Sequence, residues 1–473
     1  MSSAISAFEP VRALSTPPPL CRFHIPLPSP MLVPKGLMRT LQDPASWETF
    51  MERRACLVEH IAAHRRTGAH TRAPGQHSYD TLISVLQEYE PDAAGLGIAL
   101  RKMRQSGDLP KIDIAWTCSL TTVFDKPAPS PPDNSYLDHY MVLSCLAYAH
   151  MNAAAQVTQR SEGITEHLVK ACHLLAVAAG IWRHLDGMLM VAQTPVRRTA
   201  ASVYMKATGL PAPESVLVHS FANPVDAGGP TSLMTSSTMR SGDSKASAQR
   251  LAPLEADSPY VARGMAALCD AQSSELIAYV AYSRRNIKLE NIAKLAKAAA
   301  DHYSAAGVHF SRLANDSSLF SHERNFLRRY MLAFITIKYN LNSALTARLL
   351  AEVSYKVNIG LSVGYLQVVN SFAKKAAESQ KGSDILNVSP IPANDLFLSG
   401  LDLYIRSELS TASSLLASLK RENELVYMVE VPSEEDLPST EGTSIVKTVN
   451  FVPTAPRPFP VETINSGDGC SVM

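Results

Sequence analysis

Apolar residues recurring at three-and-four spacing over long stretches constrain this chain more than any other feature. Leu168, Ala171, Cys172, Leu175, Ala179, Trp182 and Leu185 form one such series, and Ile292, Leu295, Ala296, Ala299, Tyr303 and Ala306 a second. A third runs Phe326, Tyr330, Met331, Phe334 and Ile337, then Leu341, Leu345, Leu349 and Val353, then Leu361, Leu366, Val369 and Phe372. At 3.6 residues per turn each series lies along one side of a helix, a side that must be buried. Small residues on these stripes, Ala178-Ala-Gly180 and Ala298 to Ala300, let helices approach closely, as in stacked antiparallel hairpins. No strict 34-residue repeat is visible. Alternation, the mark of a strand, is confined to Ile112, Ile114 and Trp116 and to Leu425, Tyr427, Val429 and Val431. The expected fold is mostly α, a helical solenoid with a small β-sheet.

Proline marks the boundaries. Eight prolines fall within residues 1 to 34, a density that forbids helix and predicts an extended, solvated arm over residues 1–35. A second cluster, Lys126-Pro-Ala-Pro-Ser-Pro-Pro-Asp133, and a Ser/Thr/Gly/Met-rich stretch at 223–259 interrupt the helical region, the latter reading as an insertion loop. The helical domain is placed at 36–431. Beyond it, 432–473 reads as an extended tail rich in Pro, Glu, Ser and Thr.

Forty-four Lys+Arg against 43 Asp+Glu, a net +1, give no electrostatic case for nucleic-acid binding, and 46% hydrophobic residues exclude a wholly disordered chain. The longest apolar run, Leu174 to Trp182, is about half the length a membrane-crossing helix needs. No secretory or myristoylation signal is read at the N-terminus, so a cytosolic protein is expected. The seven cysteines form no C-x-x-C pair, and reduced thiols are expected.

Catalytic motifs are sparse: no Gly-rich phosphate loop, no G-x-S-x-G, no His-Glu-x-x-His. In Glu59-His60-Ile-Ala-Ala-His64 two imidazoles at i and i+4 could share a metal, but the Glu precedes the first His, out of place for a general base. A polar helix edge is the plainer reading. Trp182 reads as a core anchor on the face of Leu175 and Leu185. No metal and no cofactor are expected. The strongest local signal is Cys470-Ser-Val-Met473, which has the form of a C-a-a-X prenylation motif, Met favouring farnesyl on Cys470 by a prenyltransferase. One lipid chain binds membrane only marginally, and the tail's acids (Glu434, Glu435, Asp436, Glu441, Glu462, Asp468) outnumber Lys447 and Arg457. A second, partner-borne membrane contact is therefore expected, with the tail setting the reach between the two.

Ile112-Asp-Ile-Ala-Trp116, Tyr136-Leu-Asp-His-Tyr140, Ala178-Ala-Gly-Ile-Trp-Arg-His-Leu185, Leu268-Cys-Asp-Ala-Gln-Ser-Ser-Glu275, Ile292-Ala-Lys-Leu295 through Tyr303, and Glu422-Asn-Glu-Leu-Val-Tyr427 leading to Val431-Pro432 occur in that order. The series, over roughly residues 40 to 450, resembles the Bro domain (Bro-one domain) family of Alix relatives, and the C-a-a-X ending resembles its BROX-type members. The resemblance implies a curved, banana-shaped helical domain with a tetratricopeptide-like core and a small sheet. It implies no catalysis. It also implies an apolar groove for the C-terminal amphipathic helix of an ESCRT-III (Snf-seven-type) subunit, on cytosolic faces of endosomal or other membranes. Carried over, the groove positions fall on Ile277 and Leu295, with Asn291 in the middle and Ile292 beside it. Core packing is the competing reading for the apolar positions. Asn291 would weaken binding by about 1 to 3 kcal/mol unless a partner group met its amide.

Overall fold

In the computed structural model the described residues are 17–29, 31, 44–67, 78–105, 114–120, 136–160, 165–208, 253–284, 286–316, 319–382 and 396–458. Long helices dominate: α1 (Pro44–Thr67), α2 (Tyr79–Gln105), α3 (Leu137–Arg160), α4 (Thr165–Thr208), α5 (Pro259–Ser283), α6 (Leu289–Ala314), α7 (Ala333–Tyr355), α8 (Ile359–Gly382) and α9 (Leu396–Glu422). A short helix, Ser321–Phe326, and a π-helical stretch, Leu327–Leu332, lead into α7. Each helix packs chiefly on its neighbours in sequence, the arrangement of a solenoid. Local signals agree: Pro259 opens α5 where its missing N–H costs nothing, and Glu290 and Arg312 lie at the ends of α6 where the helix dipole favours their charges.

The stripes are buried as their spacing requires. Leu168, Ala171, Leu175, Ala179, Trp182 and Leu185 of α4 are all buried, with the Tyr148 ring edge-on to Trp182 at 5.1 Å. By length and composition Thr165–Leu189 would suffice to cross a membrane, but 61% of its apolar window is buried inside the protein, as in a core helix.

Two buried charge networks lock the layers. Asp138 at the start of α3 accepts from Arg54 of α1 (2.6 Å), Tyr89 of α2 (2.9 Å) and the indole N–H of Trp116 (3.0 Å), and its charge holds the Arg54 guanidinium above its ordinary pKa against the opposing cost of burial. Further along, Lys338 of α7 donates to both carboxylate oxygens of Glu275 on α5 at 2.9 Å, and Tyr303 of α6 donates to the same group at 2.7 Å.

Two expectations are corrected. The described part of the proline-rich arm, residues 17–29, is extended but not solvated: Leu20, Cys21, Phe23 and Ile25 are core residues. Their backbone is satisfied by side chains, the amide of Cys21 donating to Gln272 and that of Phe23 to Asn152. Proline removes helix as an option, but an extended chain whose polar groups find partners can still be buried. The small sheet is not formed among the described residues, where the only pairing is an isolated antiparallel bridge between Pro28 and Trp116. The Leu27 amide donates to the Thr117 hydroxyl, so the ladder does not continue there. Ile112 lies outside the described residues. The alternating Leu425 to Val431 run is instead a π-helical turn, Asn423–Tyr427, ended by Met428 in the left-handed region (φ 54°). The Asn423 side chain takes both the N–H and the carbonyl of Val429, occupying the groups a partner strand would need.

After Met428 the backbone is extended, apart from one turn at Glu434–Asp436, and runs back across the solenoid. Tyr365 of α8 donates to the Pro438 carbonyl (2.6 Å), and the Thr443 amide donates to the Lys294 carbonyl of α6 (3.0 Å). Phe451 sets its ring edge against His184 of α4. The Thr454 amide donates to Glu90 of α2, and Arg457 reaches Asp92 with its side chain (2.7 Å) and the Pro91 carbonyl with its amide (3.0 Å). Residues 432–458 are thus a strap fastened at both ends, and they do not set a free reach.

Candidate functional site

The strap closes one side of an apolar hollow of about 460 Å³ built on α4, α5 and α6. Val169, Cys172 and Ala176 of α4 supply one wall, and Ile277, Val280 and Ala281 of α5 the next. Leu295 of α6 and Ile287 from the α5–α6 connection supply the third. Ile445, Val446 and Val449 of the strap complete it. The cations on its lining are Arg284 and Lys447, His173 lies beside them, and the described lining residues include no carboxylate. Such a groove, apolar at its floor with cations at its edge, fits an amphipathic helix bearing acidic residues beside its apolar face.

Ile277 and Leu295, two of the four positions carried over from the resemblance, face this groove half-buried. Ile292 is brought elsewhere: it is 1% exposed, in a core cluster with Ala278, Tyr282 and Leu349. Asn291 is exposed in the first turn of α6 and does not line the groove, so the amide-desolvation cost expected there has no structural basis. Ile287 supplies apolar surface from the connection just before α6.

The sequence reading did not pick out the α4 wall, although a signal was present. Val169, Cys172 and Ala176 stand at i, i+3 and i+7, a second stripe one residue out of phase with the core stripe Leu168, Ala171, Leu175. Val169 is 55% exposed, which marks that stripe as surface. Burial pushes the Cys172 thiol up to about 11, so it stands in the wall as a protonated, apolar group.

The two imidazoles of α1 turn to different partners. His60 bonds to the Cys56 carbonyl (2.9 Å), whereas His64 is buried, contacts the Ser78 carbonyl (3.2 Å) and stacks on Tyr79. Among the described residues no group of three or more His, Cys, Asp or Glu side chains is placed to hold a metal ion. Cys470 and the 223–252 part of the interior loop lie outside the described residues.

The chain is thus a helical solenoid crossed by its own strap, with an apolar groove beneath that strap. The model of the BRO1-like domain family matches residues 244–466. The fold agrees with solved BRO1 structures. The ALIX BRO1 domain in complex with CHMP4C superposes with a TM-score of 0.53 at 16% identity, covering 92% of this chain and 96% of that one. A Bro1 domain determined as the structural basis for endosomal targeting gives 0.54 at 13% identity, covering 92% and 93%. ALIX in complex with a SIVmac239 late domain gives 0.53 at 15% identity, with this chain covered to 95% but spanning half of that one. No curated protein sequence matches the chain.

Proposed function

We propose that the chain is a non-enzymatic adaptor whose strap-walled groove binds the C-terminal amphipathic helix of an ESCRT-III subunit, in endosomal sorting or membrane remodelling. The observation that carries this reading is the groove itself, in which Ile277 and Leu295 stand together as apolar anchors. The ALIX BRO1–CHMP4C complex, a neighbour in fold, supports it. Arg284 and Lys447 on the lining favour a ligand helix with acidic flanks. Membrane attachment through a farnesyl group on Cys470 is the second half of the proposal, supported by the Cys470-Ser-Val-Met473 motif. Two weak contacts, one to lipid and one to a membrane-borne filament, would reinforce each other through effective concentration.

The test is titration of a fluorescently labelled ESCRT-III C-terminal helix against the wild type and Leu295→Asp. Asp at this position puts a carboxylate into the apolar groove and next to the expected acids of the ligand. The affinity should fall at least about thirtyfold, the loss of one buried anchor. Equal binding by both proteins would remove the groove as the site. Absence of binding by either would assign the scaffold a different helical ligand.

A further inference from the structure

The strap lies unusually close to α4. At Gly180 a Cβ would sit 2.3 Å from the Val449 carbonyl oxygen, 3.3 Å from its carbon and 3.4 Å from the Phe451 nitrogen. All three atoms are backbone, so no side chain can swing aside. At the strap's far end Gly95 of α2 repeats the device, with a Cβ position 2.1 Å from the Arg457 carbonyl oxygen. Gly187, two turns further along α4, has nothing within 4 Å of its Cβ position. A glycine inside a helix costs stability relative to alanine, so Gly180 needs a packing reason, and the strap supplies one.

Val449 is also a groove wall, together with Ile445 and Val446. The inference rests on the proposed use of that groove. We infer that Gly180 is a positioning residue for the groove: by admitting the Val449 backbone onto the surface of α4, it fixes the strap wall against which a ligand helix is held. Gly180 is not itself among the residues lining the groove. A methyl there must drive the strap back by about 1 Å to bring 2.3 Å to an ordinary contact of 3.4 Å. The displacement cannot be absorbed by sliding, because the strap is fastened on one side at Thr443 and on the other at Phe451, Thr454 and Arg457. The strap must lift, and with it one wall of the groove.

The experiment compares Gly180→Ala with Gly187→Ala, a substitution of the same kind on the same helix, in the full chain. Two readouts need no ligand: hydrogen exchange over residues 443–458, and the alkylation rate of Cys172, the thiol in the α4 wall, followed by peptide mass spectrometry. Gly180→Ala should exchange faster across the strap, alkylate faster at Cys172, and bind the labelled ESCRT-III helix about tenfold more weakly. Gly187→Ala should match the wild type in all three. If Gly180→Ala fails to fold, Phe451→Ala unpins the same stretch from His184 without crowding the helix and should give the same three changes. Strap exchange and Cys172 reactivity unchanged in Gly180→Ala would overturn the inference. So would a loosened strap with full helix affinity. A wild type that binds no ESCRT-III helix refutes the partner assignment alone, and the positioning role is then decided by the Cys172 rate.

Discussion

Replacing Lys338 with Met tests whether the buried pair with Glu275 holds the groove-bearing helices together. Lys338 is 0% exposed and Glu275 4% exposed, and the ammonium meets both carboxylate oxygens at 2.9 Å. Burial opposes the charge on the lysine and lowers its pKa, so Glu275 is what keeps the ammonium in place. In Lys338→Met the Glu275 carboxylate keeps the Tyr303 hydroxyl at 2.7 Å but loses its counter-ion. An uncompensated buried charge of this kind costs about 3–5 kcal/mol, a large part of a stability on the order of 5–15 kcal/mol. Glu275→Leu should cost a similar amount by stranding the ammonium. The double variant Glu275→Leu/Lys338→Met removes both charges and fills the space with apolar atoms, and should recover to within about 2 kcal/mol of the wild type. Guanidinium unfolding midpoints on the four proteins measure the cycle. Single variants costing less than about 1 kcal/mol, or a double variant no more stable than the worse single, would refute the argument.

Met428, 79% exposed and held at φ 54°, should be better replaced by glycine: Met428→Gly is expected to raise stability by about 0.5–1 kcal/mol in urea unfolding, since it relieves the left-handed backbone and loses little packing. His150 is buried, neither ring nitrogen has a hydrogen-bond partner, and burial followed by the nearby His173 lowers its pKa to about 4 from 6.5. Its neutral form is the folded one, so stability should be complete above pH 6.5 and fall by up to about 3 kcal/mol as pH drops to 4; in His150→Leu the same pH series should be flatter by that amount. Mass spectrometry of the cellular product should find a farnesyl group on Cys470, and a bare thiol on membrane-bound protein would remove that half of the proposal.

The parts of this fold that were legible in the sequence are those set by local periodicity. The stripes on α4 and α6 announce helices because a 3.6-residue period needs no knowledge of what the helix packs on. The ordered motifs were legible too, but their physical meaning was not. Trp116 and Asp138, from two separate motifs, meet in one hydrogen bond of 3.0 Å, and Glu275 and Tyr303, from two others, meet at 2.7 Å. These residues are joints between layers, and only the folded chain shows which joins which. The alternating Leu425 to Val431 run misled because alternation records side-chain character, whereas the local outcome was decided by one amide, Asn423, closing the backbone on itself.

The groove was half legible for a related reason. Leu295 lies on a helix whose stripe is visible and Ile277 was reached through the resemblance, but the fourth wall comes from a segment whose Pro, Ser, Thr and Glu content reads as free tail. Composition judges whether a segment can build a core of its own, and this one cannot. It needs no core, because α2, α6 and α8 already offer carbonyls, carboxylates and a hydroxyl along its path, and Gly95 and Gly180 leave room for its backbone. The proline-rich arm follows the same rule at the other end of the chain, with Gln272 and Asn152 meeting its amides while Leu20, Phe23 and Ile25 enter the core. Extended segments of low helical propensity are therefore placed by the polar groups and vacancies of the helices beneath them. Gly180 was visible in the sequence only as one small residue among several, and the structure separates it from Ala178 and Ala179 by what lies above it: those two face the core, whereas Gly180 faces the strap.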